Sequence, residues 1–82
     1  MWSVEINIKL KKGVLDTQGK AIHNALLSLG FSSIKDVRIG KLIEIQLEGN
    51  SQDEVSKSVQ DMCQKLLANP VIEDYSYKIE EQ

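Results

Sequence analysis

Between residues 36 and 48 the apolar side chains hold one parity. Val37, Ile39, Ile43, Ile45 and Leu47 carry odd numbers, while Asp36, Arg38, Glu44, Gln46 and Glu48 carry even ones. Alternation of this kind is the pattern of a strand with one face buried. Gly40-Lys41 has the composition of a tight two-residue hairpin turn. Such a turn would pair Ile39 with Leu42 and put Val37 and Ile39 on the same face as Glu44 and Gln46. The parity therefore opposes a simple hairpin and leaves two solutions. Either a bulge resets the phase, or residues 36–48 form one long strand bent at Gly40. Thirteen extended residues reach about 43 Å, more than a domain of this size covers. The far half of such a strand would need a second chain to pair with.

The remaining elements follow from local rules. Trp2, Val4, Ile6, Ile8 and Leu10 alternate with Ser3, Glu5, Asn7, Lys9 and Lys11, which predicts a half-buried strand ended by Lys11-Lys12-Gly13. Asp16 is a good helix N-cap, because its carboxylate accepts from open N–H groups and complements the helix dipole. Ile22, Ala25, Leu26 and Leu29 have the spacing of one buried helix stripe, and Gly30 suits the left-handed residue that follows a helix. Ser51-Gln52-Asp53-Glu54 is a capping box. After it, Val55, Val59, Met62, Cys63, Leu66 and Leu67 mark the buried face of a second helix, and Asn69-Pro70 stops it. Tyr75, Tyr77 and Ile79 alternate with Ser76, Lys78 and Glu80 in a last strand. The expected fold is α+β, with residues 1–82 as a single domain. It is a two-layer sandwich of an antiparallel sheet with two helices on one face, in β-α-β-β-α-β order or with the middle strands merged into one, associating through the sheet.

A chain of 82 residues is only marginally stable alone, which makes association a source of extra stability. One Cys excludes an intrachain disulfide and fits a reducing compartment. Met1-Trp2-Ser3-Val4-Glu5 lacks the basic start and apolar core of a signal peptide. No apolar run approaches the roughly 18 residues of a membrane span. A cytoplasmic protein is expected. The net charge is -2, but residues 1–41 carry seven Lys/Arg against three acids and residues 42–82 three Lys against nine acids. An asymmetry of this kind can orient a partner.

Little here carries chemistry. The stretch Gly13-Val14-Leu15-Asp16-Thr17-Gln18-Gly19-Lys20-Ala21 imitates a phosphate loop, but five residues separate its glycines where the motif needs four. Ala21 stands where Ser/Thr would hold magnesium, and Asp16 puts negative charge where the phosphate would lie. Cys63 falls on an apolar stripe and reads as a core residue. His23, the one histidine, has no Cys or Ser partner in sequence and reads as a surface or interface residue. One His and one Cys do not build a zinc site. The central strands have no aromatic residue on their polar faces and the chain is acidic, so no nucleic acid partner is expected. No catalytic, cofactor-binding or metal-binding residue is expected.

Three stretches together resemble the PurS family, the small subunits of phosphoribosylformylglycinamidine synthase. They are Gly13 to Ile22, Asp36-Val37-Arg38-Ile39-Gly40-Lys41, and the run from Met62 through Leu66-Leu67-Ala68-Asn69-Pro70-Val71-Ile72-Glu73 to Tyr75. The resemblance covers nearly the whole chain, and the third stretch is the most specific. Thr17 departs from it where the family usually has proline, a preference at the first helical position rather than a need. The resemblance implies a subunit without catalytic residues. It would serve in the conversion of formylglycinamide ribonucleotide, ATP and glutamine to formylglycinamidine ribonucleotide, bridging the PurL synthetase and the PurQ glutaminase and supporting ammonia transfer between them. ATP, magnesium and glutamine would be used by the complex and none held by this chain. It also implies self-association as a dimer or larger assembly. Arg38, Lys41, Asn69, Pro70 and Glu73 are the expected partner contacts, because they flank a bend and a rigid turn. The alternative is a small-molecule regulatory domain of the ACT kind, with the Gly13 loop binding an amino acid.

Overall fold

Five regular elements and one π-helical turn make up the chain in a computed structural model that describes residues 1–82. Strand β1 spans Trp2–Leu10, helix α1 Thr17–Ser28, strand β2 Gly40–Leu47, helix α2 Gln52–Met62 and strand β3 Glu73–Glu81. The three strands form one antiparallel sheet in the order β2-β1-β3. β1 is central because its whole even-numbered face is apolar and can be buried from both sides. Ile6, for example, lies opposite Ile43 on one neighbour and Tyr77 on the other.

Trp2, Val4, Ile6 and Ile8 meet Val55, Val59, Cys63 and Ala68 in the core. Helix α2 lies across β1 and presents Val55 and Val59 to it. The capping box starts this helix: Glu54 N–H donates to Ser51 Oγ at 3.2 Å. The reciprocal bond reaches Asn50 N–H at 3.3 Å, one residue earlier than the ideal box. Tyr77 anchors the helix to β3 through its hydroxyl, 2.8 Å from both Ser56 Oγ and Gln60 Nε2. At the far end of the sheet Trp2 Nε1 donates to Gly49 O at 3.0 Å.

Helix α2 runs into a π-helical turn over Cys63–Leu67, closed by Ala68 N–H donating to Cys63 O. This corrects the expected stripe. The wider turn advances each residue by a smaller angle than an α-helix does. Leu66 therefore rotates out to 81% exposure, and Ala68 takes the buried place.

The parity of residues 36–48 resolves without a hairpin. A single strand starts at Gly40 and keeps one phase to Leu47, with Ile43, Ile45 and Leu47 turned toward the core. Only the eight residues from Gly40 onward join the ladder. On that side β1 pairs only as far as Lys9, opposite Gly40, so the strand over residues 36–48 does not form within the chain. Residues 36–39 belong to no strand within the chain.

Helix α1 also departs from its expected burial. Asp16 caps it as read from sequence, and Gly30 follows it with φ of 99°. Yet Ile22 is 41% exposed, Leu29 74%, and Ala25 is exposed too, with only Leu26 half-buried. α1 does not pack onto its own sheet as α2 does. It leans on the return segment 30–39, which approaches it at Gly19, and His23 Nε2 is 3.1 Å from Ile34 O. Helix and return segment together project from the sheet as an arm. The chain is accordingly long and thin, 51 × 28 × 14 Å, with a radius of gyration of 16.3 Å. A compact domain of this length has about 12 Å.

Candidate interaction surface

The five residues expected at an interface come from two stretches, 38–41 and 69–73, and the fold brings both to one end of the sheet. β1 ends there at Leu10, β2 starts at Gly40, β3 starts at Glu73, and the arm leaves from the same place. Arg38 Nη2 donates to Leu10 O at 2.9 Å and lies 3.5 Å from Lys11 O, bracing the end of β1. Lys41 Nζ is 3.9 Å from Glu73 Oε2, across the helix-facing side of the sheet. The other oxygen of Glu73 accepts from Asn69 N–H at 2.7 Å. Asn69 Oδ1 accepts from Val71 N–H at 3.1 Å, so the turn carrying Pro70 is braced from inside.

These bonds divide the five. The Glu73 side chain, only 14% exposed, is largely committed to holding the turn. Pro70, Asn69, Lys41 and Arg38 are exposed and present a polar rim with two positive charges. Val71 and Leu66 stand nearby, both strongly exposed. Between rim and arm lies a cleft of about 210 Å³, lined by Ile8, Leu10, Asp16, Gln18, Ile39, Gly40, Lys41 and Glu73.

One residue does more than its sequence suggested. Asp16 Oδ1 accepts from Gly19 N–H at 2.8 Å as the helix cap, and Oδ2 accepts from Ile39 N–H at 2.8 Å. The second bond spans 23 positions of sequence, and no local signal announces it. Gly19 is the buried residue of α1, and a Cβ there would lie 2.5 Å from Val37 O and 2.6 Å from Asp16 Oδ2. The glycine is needed for that close approach, not for phosphate.

The bond from Ile39 N–H, then that from Gly19 N–H, hold the Asp16 carboxyl below its ordinary value of 3.8, with the Arg38 guanidinium adding to them. A carboxyl with a depressed pKa contributes stability that is present above its unfolded value and lost as pH falls through the folded one. The Asp16 contribution is therefore intact at neutral pH and starts to be lost as pH falls below about 4. In acid titrations of melting temperature, Asp16→Asn will lose less stability between pH 5 and pH 3 than the parent. Parallel acid limbs would show that the carboxylate contributes nothing.

The other chemically active side chains are accounted for. Cys63 is buried in the core, and desolvation pushes its thiol up, away from the thiolate form. The His23 ring is held by a backbone carbonyl. No group of His, Cys, Asp and Glu is arranged to hold a metal ion. No helix is long and apolar enough to cross a membrane.

Residues 3–81 match the PurS family, described as phosphoribosylformylglycinamidine (FGAM) synthase. This chain belongs to the PurS family. It is 49% identical over 80 residues to the FGAM synthase subunit PurS of Methanocaldococcus jannaschii, covering 98% of this chain and 96% of that one. The crystal structure of M. jannaschii PurS superposes with a TM-score of 0.91 at 48% identity, covering 100% of this chain and 99% of the other. A chain in the PurLQS structure of Thermotoga maritima matches with a TM-score of 0.89 at 26% identity, over 96% of each chain. PurS is the small subunit of FGAM synthase, a non-catalytic component of that enzyme. Membership of this family favours the subunit reading over an amino-acid-binding regulatory domain.

Proposed function

We propose that this chain self-associates and, with PurL and PurQ, assembles FGAM synthase in the cytoplasm. In that role it organises the synthetase and the glutaminase so that ammonia passes between them. The observation that carries the reading is a match to PurS over nearly the whole chain, shared with a chain of the PurLQS structure. The arm supports it physically: a helix with its apolar stripe in solvent, beside a segment with unused strand phase, is a surface built to be covered. ATP, magnesium and glutamine serve the complex, and no residue of this chain holds them. Arg38, Lys41, Asn69, Pro70 and Glu73 form or brace the rim offered to the larger subunits.

Reconstitution tests this. PurL and PurQ are mixed with and without the chain, and product formation is followed with glutamine or with ammonium as nitrogen source. Glutamine-dependent formation will fall by about 100-fold without the chain, the lower end of what colocalisation contributes. Ammonium-dependent formation bypasses the glutaminase and will fall much less. Equal glutamine-dependent rates with and without the chain would remove the organising role.

A further inference from the structure

The arm runs from residue 14 to residue 39 and has few means of holding its direction. α1 does not pack onto the sheet, and its apolar stripe faces solvent. What ties its two ends together is one carboxylate. Asp16 Oδ1 holds the first turn of α1 through Gly19, and Oδ2 holds Ile39, the residue just before β2. Arg38, next in chain and beside Asp16, holds the same junction to the end of β1 through Leu10 O. The missing side chain at Gly19 lets the return segment close against the helix. Start of helix, end of arm and end of central strand thus meet at a single point.

We propose that Asp16 is a latch, a positioning residue that fixes the angle at which the arm leaves the sheet and so presents the α1 stripe to a second copy in one orientation. This rests on the self-association reading above, which it deepens. An arm free to swing would offer the same apolar area in many directions. The apparent affinity would fall by the fraction of time spent in the competent one.

The decisive variant is Asp16→Asn. It keeps an oxygen for Gly19 N–H and so preserves the cap. It replaces the acceptor for Ile39 N–H by an NH2 group, which cannot accept. Nitroxide labels at Asn24→Cys on α1 and Lys78→Cys on β3 report arm direction by double electron–electron resonance. Cys63 is buried and stays unlabelled, and an excess of unlabelled chain isolates distances within one copy. The parent will give a single narrow distance distribution. Asp16→Asn will broaden it and weaken association about tenfold by sedimentation, corresponding to a competent fraction near one in ten. Asp16→Ala, lacking both bonds, will do at least as much, and the Asn variant decides if the Ala variant does not fold. Superimposable distributions for parent and Asp16→Asn overturn the latch. A broadened distribution with unchanged association overturns its role in presenting α1. A parent that does not associate at any concentration defeats the self-association reading and the presentation role with it, while the distances still decide whether the latch exists.

Discussion

Ile22→Glu will leave the chain folded and make it monomeric. Ile22 lies on the exposed stripe of α1, and α1 contributes little to the core built by β1 and α2. Far-UV circular dichroism and the melting transition of the sheet will therefore change little. In an assembly that covers the stripe, the introduced carboxylate loses its water and finds no partner. An uncompensated buried charge costs about 3–5 kcal/mol, or about 10²- to 4 × 10³-fold in dissociation constant. Asn24→Glu, on another face of the same helix, is the matched control and will leave association unchanged. Sedimentation equilibrium over a range of concentrations reads both. Parent-like association of Ile22→Glu would mean that the stripe is not the surface a second copy covers.

The second large effect lies at the centre of the sheet. Ile6 is fully buried, flanked by Ile43 and Tyr77 and covered by α2. Ile6→Ala will cost about 3–4 kcal/mol, since the lost transfer energy is joined by a cavity that strands on both sides keep from collapsing. For a small domain this corresponds to about 15–25 °C in melting temperature. Leu66→Ala is the contrast. An intact α-helix would bury that leucine, but the π-helical turn exposes it, so the same loss of side chain will change stability by less than about 0.5 kcal/mol. Thermal melts of both variants at one protein concentration make the comparison. A large loss at Leu66 would put it under cover by another copy.

Much of the local structure was legible from residue order. The alternation from Trp2 to Lys11 predicted β1 and its buried face, Asp16 and Ser51 the two helix starts, and Gly30 the end of α1. The oddness of residues 36–48 opposed a hairpin, and none forms, but β2 starts only at Gly40, so neither the bulge nor the thirteen-residue strand is present within the chain. The five interface candidates rest on two local signals, a bend and a rigid turn. Their convergence at one end of the sheet was not visible, because it depends on how three strand ends align. Leu66 was misplaced because nothing local distinguishes a π-helical turn from a continuing α-helix.

Most elements, their amphipathic faces and membership of the PurS family follow from residue order alone, since periods of two and 3.6 and a run such as Asn69 to Tyr75 are properties of that order. Where those faces go depends on the folded chain. A periodic stripe says that a helix has an apolar side, not whether its own chain will cover it. Here α2 covers the sheet and α1 stands off it, held by the bond between Asp16 and Ile39. That bond joins positions distant in sequence, so only folding brings it into being.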